Sequence, residues 1–168
     1  VDNAGNIREY AFFGCDSLQT VTVSNQGEIG EDAFSVCLSL TFVILSESIT
    51  NIKGNAFRRC SALTKMTIPN SVLTLGDNCF YGCTSMQSVE LGNGLTNIGR
   101  YAFGNCSALS SISIPSSVTN VGDYVFDDCT AMTKVVIEDR TEALSLGTNG
   151  SEPLFADCPL NSVYIGGK

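Results

Sequence analysis

Cysteine is the residue type in this chain with the most varied potential chemistry, since a thiolate can bind a metal ion, form a disulfide or act as a nucleophile. The chain has eight cysteines, and seven of them follow a phenylalanine in the pattern Phe-x-x-Cys. These seven are Cys15, Cys37, Cys60, Cys83, Cys106, Cys129 and Cys158, separated by 22, 23, 23, 23, 23 and 29 residues. A spacing this regular indicates a structural repeat that runs through the whole chain.

The remaining residue types argue against catalysis. Histidine is absent, so the commonest general base and the usual activator of a cysteine nucleophile are both missing. Metal binding is an alternative for Cys79 and Cys83, which are four residues apart, but Cys79 replaces the alanine of other repeats and there is no Cys-x-x-Cys pair. We therefore predict that the protein is not an enzyme, with no catalytic residues, no cofactor and no metal site.

The cysteines fit better as part of a buried core. Each lies next to phenylalanine and leucine at a fixed position of its repeat, which predicts a ladder of thiols inside the molecule. Neighbours in such a ladder are about 4.8 Å apart, one strand spacing, whereas a disulfide needs Cβ atoms about 3.8 Å apart. The expected state is a set of small, buried, reduced thiols.

Other apolar positions keep the same phase as the cysteines. The third residue after each of the first six cysteines is leucine or methionine, and the sixth and eighth residues form an alternating apolar pair such as Met66 and Ile68. Eight residues before a cysteine comes another aliphatic residue, at Ile29, Ile52, Leu75, Ile98 and Val121. A period in the twenties with leucine-like residues in fixed phase is typical of a leucine-rich-repeat solenoid.

Each repeat divides into three local patterns. Alternating apolar residues predict one short strand, which proline ends at Pro69 and Pro115. A second extended piece follows, then a glycine, and then Ala-Phe-x-x-Cys, which the spacing predicts to be one short helical turn. The predicted fold class is an α/β leucine-rich-repeat solenoid of about seven coils of about 23 residues. Residues 1–168 are expected to form a single domain, a fragment of a longer protein, with an irregular C-terminal repeat over 138–168.

The repeat resembles a known family at specific residues. The motif Ile-Gly-x-x-Ala-Phe-x-x-Cys-x-x-Leu, followed by Ile-Pro-x-Ser-Val, is clearest from Ile98 to Leu109 and from Ile112 to Val121. In this motif the chain is similar to the BspA-like class of bacterial leucine-rich repeats. The resemblance implies a right-handed solenoid in a secreted or cell-surface protein of a host-associated bacterium, often an adhesin. It implies no catalytic residues and no defined ligand site.

Charge and hydropathy exclude two classes of partner. The net charge is −8, from nine Lys and Arg against 17 Asp and Glu, and the one basic cluster is the pair Arg58 and Arg59. Nucleic acid needs a basic stripe, so it is not expected as a partner. No run of 18 or more apolar residues occurs, so no membrane insertion is expected either. A secreted or cell-surface location follows from the family resemblance alone.

The outward residues of the predicted strands are the candidate binding face. Most of these outward residues are small and polar, but apolar residues occur among them near both ends of the array. The residues of this candidate face are Phe42, Ile44, Lys65, Thr67, Glu90, Lys134, Val136 and Tyr164. Exposed apolar groups on a sheet mark contact sites.

The predicted function is a non-catalytic protein-binding or adhesion module for a host or partner macromolecule, protein or glycan. The alternative is an inert structural spacer, and weak end-to-end self-association is also expected.

Overall fold

Each repeat folds into one coil with three sides: a first strand, a second strand and a run of turns. The computed structural model describes residues 5–24, 27–147 and 153–166 as a parallel β-solenoid of about 5 turns. The strands are β1 Thr20–Val23, β2 Gly27–Ile29, β3 Phe42–Leu45, β4 Ile49–Ile52, β5 Lys65–Thr67, β6 Thr74–Leu75, β7 Ser88–Glu90, β8 Asn97–Ile98, β9 Ser111–Ile114, β10 Asn120–Val121, β11 Lys134–Ile137, β12 Ser145–Leu146 and β13 Ser162–Ile165.

The two strand sides run the length of the solenoid, and all pairing is parallel. The even-numbered strands form one six-stranded sheet in the order β12-β10-β8-β6-β4-β2. The odd-numbered strands pair as β1-β3, β5-β7 and β9-β11-β13, with β3 beside β5 and β7 beside β9. Equivalent residues of successive repeats stand opposite each other, as Met66 does Val89. The pleat therefore points the same repeat position inward in every coil.

The turn side corrects the predicted α/β class, because the described residues contain no α-helix. In the segment 30–37, alternate backbone N–H groups donate to carbonyls of a neighbouring coil. The N–H of Phe34, for example, donates to the carbonyl of Ala56 at 2.8 Å. The N–H groups between them close tight turns, as from Ser35 to Asp32. An α-helix would keep all of these N–H groups within its own coil. The second extended piece also forms a strand, so most coils have two strands rather than one.

Left-handed backbone conformations divide the turn side into its successive turns. Two positions of the segment have positive φ: Asp32 at 51° and Val36 at 61° in one coil, Asn55 at 55° and Arg59 at 58° in the next. Glycine precedes most of these segments because the coils are too close for a side chain. A Cβ at Gly99 would lie 2.6 Å from the backbone nitrogen of Asp77.

The predicted inward positions are confirmed in the central repeats, whereas Cys15 of the first repeat, predicted to be buried, is exposed. In the third repeat, the inward positions are all buried: Ile52, Ala56, Phe57, Cys60, Leu63, Met66, Ile68 and Val72. The repeated phenylalanines stack in one column, with ring centroids 5.1 to 5.8 Å apart and planes within 6° of parallel. The five inner rings are fully buried, at Phe34, Phe57, Phe80, Phe103 and Phe126. Seven regular coils are not found: Phe12 is 41% exposed and Phe155 is only partly buried.

The cysteine ladder also lies inside, and its thiols have partners that the repeat pattern does not reveal. Each repeat cysteine after the first points its Sγ at the main-chain carbonyl of the phenylalanine one coil earlier. The distance is 3.2 Å from Cys60 to Phe34 and 3.3 Å from Cys83 to Phe57. All eight cysteines are free, and only Cys15 is exposed. A buried thiol at this position is therefore a hydrogen-bond donor between coils as well as an apolar filler.

Within the segment 138–147, one side chain bonds back to the preceding coil. Arg140 donates from Nη1 to the carbonyl of Val118 at 2.9 Å and from Nη2 to that of Pro115 at 3.0 Å. These bonds satisfy carbonyls of the preceding coil from within the insertion. Residues 148–152 of the predicted irregular repeat lie outside the described residues.

The phenylalanine column gives a stability prediction. Phe103→Ala should lower the free energy of unfolding by about 3–5 kcal/mol, because it removes a fully buried ring with a stacked neighbour on each side. Gln87→Ala, at an exposed position of the same region, should change it by less than about 0.5 kcal/mol. Urea unfolding of both variants measures the difference. An equal loss of unfolding free energy in the two variants would contradict the assignment of Phe103 to the core.

The thiol ladder gives a pH prediction. Burial raises the pKa of the Cys79 thiol well above its ordinary value of 9.0. Above about pH 9 the unfolded chain loses this proton while the folded chain keeps it, so stability falls by about 1.4 kcal/mol per pH unit for each such thiol. Cys79→Ala should make that fall shallower by about this amount. Alanine suits the position, since it occurs there as Ala56 and Ala102.

The matched control is Val125→Ala, which changes the same repeat position without removing a thiol. It should lower stability equally at every pH and leave the slope unchanged. Unfolding free energies measured in steps from about pH 8 to about pH 10.5 distinguish the two variants. A Cys79→Ala slope equal to that of the parent chain would mean that this thiol is not protected.

Candidate binding surfaces

The structure places the predicted candidate face on the side formed by the odd-numbered strands and divides it into two groups. Phe42 and Ile44 project from β3, where they are 54% and 46% exposed. Register aligns them with Thr20 and Thr22 of β1. Outward positions of a strand alternate with core positions, and Val43 between them is buried. An apolar pair is therefore presented to solvent on a face where the neighbouring strands carry polar residues.

The first group surrounds a shallow pocket of about 290 Å³. It is lined by Phe42 and Ile44 of β3, by Lys65 and Thr67 of β5, and by Glu47 and Pro69. Four of the predicted residues thus line a single concave feature, which the sequence alone does not show. Apolar walls with a few polar groups are the usual lining of a recognition pocket.

Glu90 sets the charge at the polar edge of this group. Its Oε1 lies 2.8 Å from Nζ of Lys65, and its Oε2 accepts a hydrogen bond from Thr67 at 3.2 Å. The hydrogen bond and charge of the Lys65 ammonium hold the pKa of the Glu90 carboxyl below its usual value. The Glu90 carboxyl is therefore ionised at neutral pH, and Lys65 and Thr67 both donate to it.

The second group lies farther along the same face. Val136 of β11 is half-buried between Ser113 and Tyr164, its register neighbours, and Lys134 is exposed beside it. The Tyr164 hydroxyl donates to Oδ1 of Asp139 at 3.3 Å. Strand β9, whose outward residues Ser111 and Ser113 are exposed, separates the two groups. The structure thus does not unite all eight predicted residues in one site.

The turn side carries a surface that the sequence prediction missed. Three tyrosines and two arginines from four successive coils form what we call the tyrosine–arginine ridge: Arg58, Tyr81, Arg100, Tyr101 and Tyr124. The rings of Tyr101 and Tyr124 stack with centroids 4.8 Å apart and planes within 5° of parallel. Tyr81 meets Tyr101 edge to face at 6.2 Å.

Both arginines of the ridge lie on its aromatic rings. The guanidinium carbon of Arg100 is 5.2 Å from the ring centroid of Tyr101 and 5.4 Å from that of Tyr124. That of Arg58 is 5.8 Å from the ring of Tyr81. These are cation–π distances. The ridge thus combines guanidinium groups and phenol rings in one continuous surface.

Backbone geometry sets two of these tyrosines apart. Tyr101 and Tyr124 have φ of 53° and 55°, the left-handed region, which costs a residue with a bulky side chain roughly 1–2 kcal/mol. The three preceding coils have Asp32, Asn55 and Asn78 at this position, residue types that tolerate it better. The signal available in the sequence is the return of tyrosine, which the first coil carries as Tyr10, at this one repeat position. The sequence prediction considered only the outward positions of the strands, so it did not include this position on the turn side.

A groove of about 780 Å³ lies near the N-terminal end. It is lined by acidic side chains, among them Glu9, Glu31 and Asp77, with Glu28 paired to Lys53 at 3.2 Å. Across the described ranges, no group of three or more His, Cys, Asp or Glu side chains is arranged to hold a metal ion. In the same ranges, no helix has the length and apolar character needed to cross a bilayer.

Comparison with solved structures places the fold among bacterial leucine-rich repeat proteins. A leucine-rich repeat protein of T. pallidum has 29% identity and a TM-score of 0.79, over 88% of this chain and 69% of that one. A leucine-rich cell surface protein of Faecalibacterium prausnitzii has 25% identity and a TM-score of 0.57, over 96% and 58%. A leucine-rich repeat protein of Bacteroides ovatus has 22% identity and a TM-score of 0.57, over 97% and 59%, and supports the fold alone.

This chain therefore spans less than two thirds of the second and third of these proteins. No curated protein sequence is significantly similar to it. The sequence matches the family model for the BspA-type leucine-rich repeat region, in six copies over residues 2–72 and 50–168. This model describes a repeat region and indicates no catalytic family. With its repeats in the predicted phase and its coils stacked as a parallel solenoid, the chain belongs to the BspA-type leucine-rich repeat family.

Proposed function

We propose that this chain is a non-catalytic protein-binding or adhesion module of a secreted or cell-surface bacterial protein. The observation that carries the proposal is the apolar pair Phe42 and Ile44, exposed on a strand face and lining a pocket. Family membership supports a role as an interaction scaffold. The likeness to a structure described as a leucine-rich cell surface protein supports the location.

The physical case rests on the clustering of exposed apolar area. At the repeat position of Phe42, other coils carry Lys65, Ser88 and Ser111. At the repeat position of Ile44, they carry Thr67 and Ser113. Covering the two side chains with a partner removes apolar surface from water, at roughly 25 cal/mol per Å². Lys65 and Glu90 at the edge supply the polar rim that interfaces commonly have. The proposed occupant is an apolar side chain of a host or partner protein.

Other coils supply substitutions that remove this surface without disturbing the fold. Phe42→Ser and Ile44→Thr introduce residues that other coils carry at the same repeat positions. We expect saturable binding to at least one member of a panel of purified extracellular-matrix proteins and glycans, weakened at least about tenfold by the double variant. Biolayer interferometry on the immobilised chain measures both.

The matched control is Leu73→Thr. Leu73 is 47% exposed but lies on the other strand side, where three neighbouring coils carry threonine. It should leave the affinity unchanged. Equal losses for the double variant and the control would show that the pocket is not the contact site. No binding across the panel would favour the alternative, an inert spacer between other domains.

The two ends of the solenoid support a weaker, second mode of association. At one end, a pocket of about 270 Å³ exposes Phe12 and Leu18. At the other end, β13 has every residue exposed, with Ile165 at 70%. Open strand edges beside apolar groups pair readily with another chain. End-to-end self-association at high concentration is therefore part of the proposal.

A further inference from the structure

The tyrosine–arginine ridge is built from residues that its backbone does not favour. In the left-handed conformation at Tyr101 and Tyr124, asparagine is the less strained choice, and two earlier coils use it at Asn55 and Asn78. The fold therefore does not require tyrosine at these positions. Tyr10 shows the same strain outside the ridge, so the strain supports a role only together with the clustering of the three tyrosines of the ridge.

Arg58 and Arg100 are the charged members of the ridge. Among the described residues, the side-chain ion pairs are Lys53 with Glu28 and Lys65 with Glu90, and neither includes an arginine of the ridge. Arg59, which is exposed next to Arg58, adds a third such guanidinium, its Cγ lying close to Gly82. These arginines lie on a chain with a net charge of −8 and form no side-chain ion pair within its described part, while the carboxylate of Asp77 accepts the backbone N–H of Arg100 at 2.8 Å.

We propose that the tyrosine–arginine ridge binds a carboxylate-bearing segment of a partner protein. A guanidinium fork matches a carboxylate with two parallel hydrogen bonds. Tyrosine supplies rigid, amphipathic contact area with few rotatable bonds, and tyrosine and arginine are the residue types enriched at the energetic centres of protein interfaces. This surface is separate from the strand-face pocket and does not depend on it.

An acidic peptide suits the ridge better than an anionic glycan or a nucleic acid. Those polymers need a continuous basic stripe, which Asp77 and Asp128 interrupt on the turn side, whereas a single carboxylate of a peptide needs only one guanidinium group. A sugar ring would also need open aromatic faces to stack on. Tyr101 and Tyr124 already cover one face of each other, and Arg100 lies against both rings.

The test uses an alternating Glu-Leu dodecapeptide titrated into the whole chain, with the Gln-Leu peptide as the neutral control. We expect saturable amide chemical-shift changes centred on the turn side between Arg58 and Tyr124, absent with the neutral peptide. The double variant Tyr101→Asn/Tyr124→Asn should weaken binding at least about tenfold while remaining folded, because Asn55 already occupies this backbone position. Arg100→Gln should weaken binding and reduce its dependence on salt.

Two matched variants test whether binding is confined to the ridge. Tyr10→Asn makes the same change at the same left-handed position, φ 55°, in a coil outside the ridge, and should leave the peptide affinity unchanged. Phe42→Ser, which alters the strand-face pocket, should also leave it unchanged. The proposal is overturned by an absence of binding at millimolar peptide or by equal affinities of the parent and double variant. Tighter binding of a heparin hexasaccharide, lost in the same variants, would overturn it in favour of an anionic glycan.

Discussion

Hydrogen bonding between successive coils is the interaction on which this structure depends. On the strand sides it is ordinary parallel pairing, but it continues through the turn side, where Phe34 and Val36 donate to carbonyls of the next coil. A single coil therefore leaves polar backbone groups unpaired on both of its surfaces, at a cost that only a neighbouring coil removes. The stacked phenylalanine rings and the thiol hydrogen bonds also join each coil to the next, along the solenoid axis. Stability in such an array is a property of interfaces between coils more than of any coil alone.

The sequence was sufficient to predict which residues are buried, because burial follows the repeat phase. In the third repeat, the positions that the repeat phase placed inward are all buried, among them Ile52, Cys60 and Met66. It was not sufficient to predict the conformation of Ala-Phe-x-x-Cys. That spacing fits one helical turn equally well, and a local pattern contains no information on whether the N–H of Phe57 bonds within its coil or to Cys79 of the next one. Tertiary hydrogen bonding decided between the two.

The same limit applies to the cysteines and to the candidate surfaces. Composition and spacing predict that Cys60 is buried, but the carbonyl of Phe34 that its thiol reaches is set by how the coils stack. On the surface, the strand pattern identified Phe42 and Ile44 as exposed, and the structure shows that Lys65 and Thr67 complete a pocket with them. The tyrosine–arginine ridge was not predicted because its members occupy different repeat positions, which meet only after the turns have formed.

A repeat solenoid separates the residues that maintain the fold from those that are free to vary. Inward positions must fit their neighbours above and below, so their variation is confined to similar apolar groups, such as Leu63 and Met86. Outward positions meet no such constraint, and a departure from the small polar norm there demands another reason. A single departure, such as Leu73, is common on any protein surface. Departures that come together in space, such as the tyrosines and arginines of the ridge, are the stronger evidence for a surface that recognises another molecule.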